Sequence, residues 1–540
     1  MKFALYGLPC AGKTTLMRSL REVYVVHGSD TLRSISGGNF SSLSEKEKES
    51  ARVAYIEYLT TLPAEIILSD GHYSFGNEIV FTEADAKVYD VFFYLYCDPS
   101  VLKDRYSSSP KNERYANLSI QQISSWQQFE IESLREECHG RNKDFYVLPA
   151  SSISSEMLQQ FIHRIYDGFS CFAHAECIAE EIKSLFPAPC HLHIVDGDKT
   201  IIKQDSFRTC SAHKTSCFEG DFYTGYQSLC FSEETSSLLL DYSKIATFQI
   251  NQLVYERIRN ASYVILSAGI TRLWKVIGEQ FDLAPVFADP AISADTKYFV
   301  VKILQDSGYT ISAYGDSKND LYMLKAADHG FLIVGDRISR SLTAATTNGL
   351  QLLYENSHTI LDSEHPERLQ EDIAVCKSGS GVNGSQLAAA HLRLGQELGF
   401  QIRKQFPTDN MAVVVLDRGG RFFGDGLYCS LGGVFYPFNT KKEPLPSVKE
   451  NLVLIVDSVI NTGNSTLRLI DELKEQRPDA QIILATNVIQ QQALSKFKDY
   501  RLFAIRASSN SFFGKNQAVQ TGKTGPDTAD RLFNLIRKGI

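Results

Sequence analysis

Residues 452–467 read LVLIVDSVINTGNSTL. Five apolar residues run from Leu452 to Val456. Asp457 follows, then a short polar loop ending Asn461-Thr462-Gly463-Asn464-Ser465, then an amphipathic run. An apolar run of this length bounded by turn residues predicts a strand, and the run behind it predicts a helix. The loop between them turns backbone N–H groups and a helix N-terminus toward one point, which is how a protein cradles phosphate. The stretch therefore predicts an α/β fold with an anion site at a strand's C-terminal end.

Outward from this stretch, 540 residues leave room for three or four domains of about 150 residues. Apolar content is 43% and charged content 22%, so each domain can bury its own core. The net charge of −8 gives no field that favours nucleic-acid phosphates, and no nucleic-acid partner is expected. The 11 cysteines are scattered without a CxxC, which points to a reduced, cytoplasmic protein. The start MKFALYGLP is too short for a signal segment and leads straight into Gly7–Thr14. No apolar run approaches the ~20 residues that span a bilayer, so no membrane partner is expected.

Two further strand–loop motifs precede the opening stretch. Lys2–Tyr6 is an apolar strand followed by Gly7-Leu8-Pro9-Cys10-Ala11-Gly12-Lys13-Thr14, with a helix from Thr15. This is GxxxxGK[ST] in its expected context. Gly7 and Gly12 bring backbone N–H groups to phosphate, Lys13 neutralises the terminal phosphates, and the Thr14 hydroxyl is placed for Mg²⁺, with Thr15 beside it. Ile66–Ser69 is a second strand, and Asp70 at its end is a candidate metal or water contact. His72 reads as a turn residue. Val91–Tyr96 is a third strand, with Arg105, Lys111 and Arg114 beyond it. Over residues 1–165 the chain resembles the P-loop nucleoside/nucleotide kinases. The resemblance implies ATP or another nucleoside triphosphate as co-substrate, Arg105 and Arg114 in a lid, and Asp30 and Arg33 near the phosphoryl acceptor.

In residues 166–365, Asp167–Phe186 predicts an amphipathic helix. His191–Val195 is a strand ending in Asp196-Gly197-Asp198-Lys199-Thr200. Ile265–Ala268 carries Ser267, Lys297 precedes the next strand, and Tyr309–Tyr314 leads into Gly315-Asp316-Ser317-Lys318-Asn319-Asp320. A carboxylate two residues from another on a strand tip can divide nucleophilic and proton-transfer work. The set resembles the haloacid-dehalogenase-like phosphohydrolases: DxDxT, a hydroxyl, a lysine and GDSxND, in that order. The resemblance implies Asp196 as nucleophile, Asp198 as general acid and base, and Ser267 and Lys297 on the phosphoryl oxygens. It also implies Mg²⁺ held by Asp196, Asp198, Asp316 and Asp320. Lys302 competes with Lys297 for the lysine role. Residues 201–262 read as a helical cap in which Arg208, His213 and Lys214 are placed to meet a leaving group.

In residues 366–540, Ser378–Gly384 is a flexible lead-in and Gln386–Gly399 a helix. Met411–Leu416 is a strand followed by Asp417-Arg418-Gly419-Gly420. Phe435–Asn439 reads as a short hood strand and Lys441–Pro446 as a charged loop able to fold over a ligand. Gln481–Thr486 and Arg501–Ile505 are further strands, and the tail carries Thr524-Gly525-Pro526-Asp527-Thr528-Ala529-Asp530-Arg531. This third resembles the uracil phosphoribosyltransferases through VLIVDSVINTGNS, LDRGG and TGPDTADRLF. The resemblance implies phosphoribosyl pyrophosphate (PRPP) as co-substrate. Asp457 would hold the ribose hydroxyls, and Asn461, Thr462, Gly463, Asn464 and Ser465 the 5-phosphate. Arg418 would meet pyrophosphate, with Asp527 and Asp530 beside the base and the metal-bound pyrophosphate. Ser458, Asn464, Thr524 and Pro526 depart from the family pattern, which leaves the base open.

The expectation is therefore an α/β chain of three domains with mostly parallel sheets: a P-loop kinase fold, a haloacid-dehalogenase Rossmann-like fold with a helical cap, and a type I phosphoribosyltransferase fold. The chain reads as a homo-oligomeric multifunctional enzyme of nucleotide metabolism, acting on bases, nucleotides and sugar phosphates. A second reading stays open, a nucleotide-sensing regulator or defence effector that binds or depletes nucleotides.

Overall fold

The computed structural model describes residues 1–38, 40–76, 78–108, 114–335, 339, 342, 344–347, 349–354, 357–361, 366–406, 408, 410–439, 445–508 and 528–535. Lys111, residues 441–444 and the 524–527 part of TGPDTADRLF, with Asp527, lie outside them. The chain divides into two compact units, Met1–Phe331 and Leu332–Ile540, each built of helices on parallel sheets. Among the described residues no helix is long and apolar enough to cross a membrane.

Among the described residues the first unit holds two large sheets and a small antiparallel pair, Ser74–Phe75 with Glu78–Ile79. The first orders its strands Tyr24–His27, Ile67–Asp70, Lys2–Tyr6, Val91–Tyr96 and Asp144–Pro149, all parallel. Its strands are near-continuous apolar runs because both faces are covered by helices. Phe3, Leu5, Phe93 and Leu95 pack on one face and Ala4, Phe92 and Tyr94 on the other. The second sheet places Val286–Ala288, Ser262–Ser267, His191–Val195 and Thr310–Gly315 side by side.

The predicted Asp167–Phe186 helix is shorter, Cys171–Leu185, and follows a separate helix Ser155–Tyr166. Gly168 at φ +111° interrupts the path, and the Ser170 side chain accepts from Ala173 N to start the second helix. The expected cap is helical, with Ser206–Cys210, Gly225–Thr235, the 3₁₀ turn Tyr242–Thr247 and Gln252–Ile258. Part of it has another task. Thr224 Oγ1 accepts from Val147 N at 3.2 Å and Gln227 Nε2 donates to Val147 O at 2.8 Å, on the first sheet's last strand.

The second unit has one parallel sheet, ordered His358–Ile360, Arg501–Ser508, Gln481–Gln490, Leu452–Ile460, Met411–Leu416 and Val434–Phe438. The opening stretch lies in its middle. Leu454 and Val456 pack beneath the helix Ser385–Gln405, and Val453 and Ile455 beneath the helix Asn464–Gln476. These four residues are at most 1% exposed, and burial of each contributes about 2 kcal/mol.

Two expectations are corrected. The strand does not stop before Asp457 but runs to Ile460, because Val459 and Ile460 keep their register with Val488 and Ile489. The segment read as a hood strand is Val434–Phe438, which pairs with Met411–Leu416 and closes one edge of the sheet.

Candidate functional site

Among the described residues three clusters lie at strand ends. The first surrounds Gly7–Thr14. Gly12 takes φ +111° at the head of the short helix Lys13–Met17, a conformation that favours glycine. Lys13 is buried, and its Nζ donates to Gly7 O at 2.5 Å and Leu8 O at 3.3 Å. Burial pushes its ammonium down to about 8, opposed by the charges of Asp70 and Glu130. Thr14 and Thr15 are exposed. Asp70 pairs in register with both Leu5 and His27 and accepts from Gly28 N at 2.8 Å.

Arg105 does not stand apart as a lid residue. Its helix, Pro99–Ser108, follows the strand beside Lys2–Tyr6, and its Nη1 donates to Cys10 O at 2.7 Å and Ala11 O at 3.3 Å. Arg105 thus braces the loop backbone. Arg114 is exposed and lies 5.4 Å over Phe75 and 4.6 Å over Tyr115. Asp30 and Arg33 form an exposed ion pair at 3.3 Å. Beside Asp70 lies a cavity of about 280 Å³, walled by Tyr55, Phe75 and Tyr89 and bearing Arg33, Arg52 and His72. Burial, then the Lys13 charge, holds His72 neutral.

The second cluster gathers the four carboxylates of DxDxT and GDSxND. Lys297 is fully buried, with Nζ 2.5 Å from Asp196 Oδ1 and 2.7 Å from Asp320 Oδ1. Lys302 instead donates to Gln305 Oε1, so Lys297 is the lysine that reaches the site. Asp320 Oδ2 also accepts from the backbone N of Asp316 and Ser317, each at 3.2 Å. Burial and the Asp320 charge raise Asp196, and Lys297 opposes them. Burial and Asp205 raise Asp198. Ser267 Oγ accepts from Gly269 N at 3.1 Å.

Asp196, Asp316 and Asp320 each offer an oxygen within 4.8 Å of the others. Asp198 Oδ1, Thr200 Oγ1 and Trp274 Nε1 are buried with no hydrogen-bond partner among the described residues. Hard carboxylate oxygens this close, beside orphaned polar atoms, fit a divalent cation and a phosphoryl group. Asp198, expected among the metal ligands, stands outside the triad: its Oδ2 accepts from Ser206 Oγ at 2.9 Å. In the cap, Arg208 pairs with Asp205 and His213 with Glu234.

The third cluster lies in the second unit. Gly463 at φ +78° turns the chain from Ile460 into the helix Asn464–Gln476, aiming that helix's first N–H groups at the loop. Asp457 is half-buried and accepts from Val459 N at 3.4 Å. The 417–420 turn packs beside it: a Cβ on Gly420 would come within 3.5 Å of Asp457 Cα and 2.6 Å of Leu416 O. Within that turn the Asp417–Arg418 peptide is cis, and Arg418 Nη2 donates to Asp530 Oδ1 at 2.6 Å.

Two departures from the family pattern have partners. Ser458 Oγ bonds His391 Nε2 at 3.0 Å, and burial pushes that imidazole down to about 4. Asn464 Oδ1 accepts from Lys496 Nζ at 2.9 Å, and Lys496 also donates to Thr462 O at 2.7 Å. Neither His391 nor Lys496 stands in a motif. Arg531 is buried and donates to the carbonyls of Val375, Cys376 and Val382, so it ties the 375–384 segment to the short helix Thr528–Leu532.

No curated protein matches the chain. The solved structures similar to it include AQ2163 protein from Aquifex aeolicus, at 15% identity and TM-score 0.27, over 33% of this chain and 97% of that one. The Helicobacter pylori xanthine-guanine-hypoxanthine phosphoribosyltransferase is 23% identical at TM-score 0.20, over 22% of this chain and 84% of that one. The Mycobacterium tuberculosis H37Rv orotate phosphoribosyltransferase is 17% identical at TM-score 0.18, over 25% and 74%. The model of the uracil phosphoribosyltransferase family matches residues 433–534, the segment that contains Asp457 and the 461–465 loop.

Proposed function

We propose that the chain is a multifunctional enzyme of nucleotide metabolism. Its second unit transfers the phosphoribosyl group of PRPP to a nitrogenous base of pyrimidine type. Its first unit carries an ATP-dependent phosphoryl-transfer centre and a phosphomonoesterase centre. The observation that carries the transferase reading is the packing of the Arg418 turn against Asp457, next to the helix-capped 461–465 loop in the family-matched segment.

In the second unit the Asp457 carboxylate accepts from the ribose hydroxyls, and the loop N–H groups hold the 5-phosphate. The C1–O bond breaks, pyrophosphate leaves with its charge met by Arg418, and the base nitrogen bonds C1 and loses its proton. Mg²⁺, when bound with the pyrophosphate, would supply further charge neutralisation.

In the phosphomonoesterase centre Asp196 attacks phosphorus while Asp198 protonates the departing ester oxygen; water, giving its proton to Asp198, then attacks phosphorus, breaking the bond to Asp196 and releasing phosphate. Lys297 and Ser267 hold the phosphoryl oxygens. Asp196, Asp316 and Asp320 would hold a divalent cation, which when bound would neutralise charge on the phosphoryl group. In the phosphate-loop centre, Lys13 and Thr14 serve ATP and its Mg²⁺, and the cavity beside Asp70 takes the acceptor. A kinase and a phosphatase acting on one compound would waste ATP, so the two centres take different substrates or are active in alternation.

The test is PRPP consumption with a panel of free bases and Mg²⁺. One base should be consumed, and Asp457→Asn should lower kcat/KM at least a hundredfold. If no base is consumed and Asp457→Asn changes nothing, the transferase reading fails.

A further inference from the structure

The 20-residue helix Ile120–His139 serves two masters. Through Gln127 and Glu130 it bonds the first sheet and its neighbours, at Cys97, Tyr94 and Ser74. Glu132, Arg135 and His139, spaced three and four apart, share another face. That face grips the phosphomonoesterase half. Arg135 Nε is 3.3 Å and His139 Nε2 2.8 Å from Asp295 Oδ1, with Asp295 only 2% exposed. Arg135 Nη1 donates to Tyr322 Oη at 2.6 Å, and Tyr322 Oη donates to Glu132 Oε2 at 2.6 Å. The guanidinium also lies 4.5 Å over the Tyr322 ring.

Asp295 and Tyr322 are not distant from the chemistry. Asp295 is two residues before Lys297 in the first turn of the helix Ala294–Asp306. Tyr322 is two residues after Asp320, in the first turn of the helix Leu321–Ala326. Residues two apart on a helix face roughly opposite ways. Each helix therefore shows one side to Arg135 and the other to the carboxylates. One guanidinium ties both helices, and their separation sets whether the Lys297 ammonium reaches Asp196 and Asp320 together.

We propose that Arg135, with Asp295 and Tyr322, is a positioning residue for the phosphomonoesterase centre, supplied by the phosphate-loop part of the first unit. This rests on the phosphomonoesterase reading above. A shift of about 1 Å at a reacting group costs about a hundredfold in rate. Loss of the clamp acts more on kcat than on KM, because it moves Lys297 relative to Asp196 and Asp320 while Ser267, on the strand Ser262–Ser267, keeps its place for the phosphoryl group.

The experiment uses the full chain with p-nitrophenyl phosphate and MgCl₂. Wild type, Asp196→Asn, Arg135→Met, Arg135→Lys, Asp295→Asn and Tyr322→Phe are compared per folded protein, folding being read by circular dichroism. Arg135→Met and Asp295→Asn should lower kcat ten- to a hundredfold with KM within threefold, and Arg135→Lys should recover part of the loss. Tyr322→Phe keeps the packing, and its expected three- to tenfold fall in kcat stands even if the two charge variants fail to fold. Wild-type hydrolysis that depends on Asp196 but is unchanged in all folded clamp variants overturns this inference alone. A wild type whose hydrolysis is absent or survives Asp196→Asn overturns the phosphomonoesterase reading, and this inference with it.

Discussion

His391 gives the second unit a calculable acid sensitivity. Its ring is 1% exposed, bonded to Leu387 O at 2.9 Å, Ser458 Oγ at 3.0 Å and Asn487 Nδ2 at 3.3 Å, with Cys376 Sγ at 3.5 Å. Burial lowers its proton affinity from 6.5 to about 4; the Leu387 carbonyl opposes this and the Arg531 charge adds to it. A group with a depressed folded value stabilises fully above its unfolded value, and that stability is lost as pH falls through the folded one. Between pH 7.5 and 5.0 the loss works out at about 2 kcal/mol, approaching about 3 kcal/mol below pH 4. Both tryptophans, Trp126 and Trp274, lie in the first unit, so intrinsic fluorescence does not report on this one. Hydrogen exchange of the Ser385–Gln405 helix, corrected for intrinsic rates, does. Wild-type protection should fall about thirtyfold more than that of His391→Gln over this range. Folded His391 stays neutral over this range, so PRPP affinity should hold from pH 7.5 to 5.0 and fall only as pH approaches 4. Equal pH responses in the two proteins would refute the reasoning.

Three other outcomes are expected. Lys496→Met removes two exposed bonds to the 461–465 loop, worth about 1 kcal/mol after solvent screening, so KM for PRPP should rise about fivefold with kcat within twofold. An unchanged KM would show that the loop holds itself. Lys297→Met leaves Asp196 and Asp320 facing one another in a buried site and should cost about 3–5 kcal/mol. Mg²⁺ should raise the melting temperature of that variant more than that of wild type, followed by Trp274 fluorescence; equal shifts would count against a cation at the triad. Lys13→Ala should abolish ATP binding in a calorimetric titration, and retained affinity would remove Lys13 from the nucleotide site.

The sheets were readable because parallel strands covered on both faces are unbroken apolar runs that end in turn residues. Lys2–Tyr6, Val91–Tyr96, His191–Val195 and Met411–Leu416 have the predicted ends. The continuation to Ile460 was hidden because Asp457 and Ser458 look like loop residues; Ser458 is tolerated inside only because His391 meets it. His391 is 67 residues from Ser458, and Arg105 is 95 from Cys10. Such pairings depend on helix placement over a sheet, which local spacing does not encode. Motifs announced the groups proposed to face phosphate. The residues that hold those groups, Lys496, His391 and Arg135, carry no such signature.

The bonding of Val147 to Thr224 and Gln227 has a consequence for how this chain can be cut or recombined. Asp144–Pro149 is the last strand of its sheet, and an outermost strand with free N–H and C=O groups invites pairing with another molecule. A fragment ending near residue 165 would uncover that strand and leave the Arg135 charge without Asp295. A fragment starting there would leave Asp295 without Arg135 and His139. Neither piece is a self-sufficient module, so a gene exchange that separates them should yield two aggregating products rather than two enzymes.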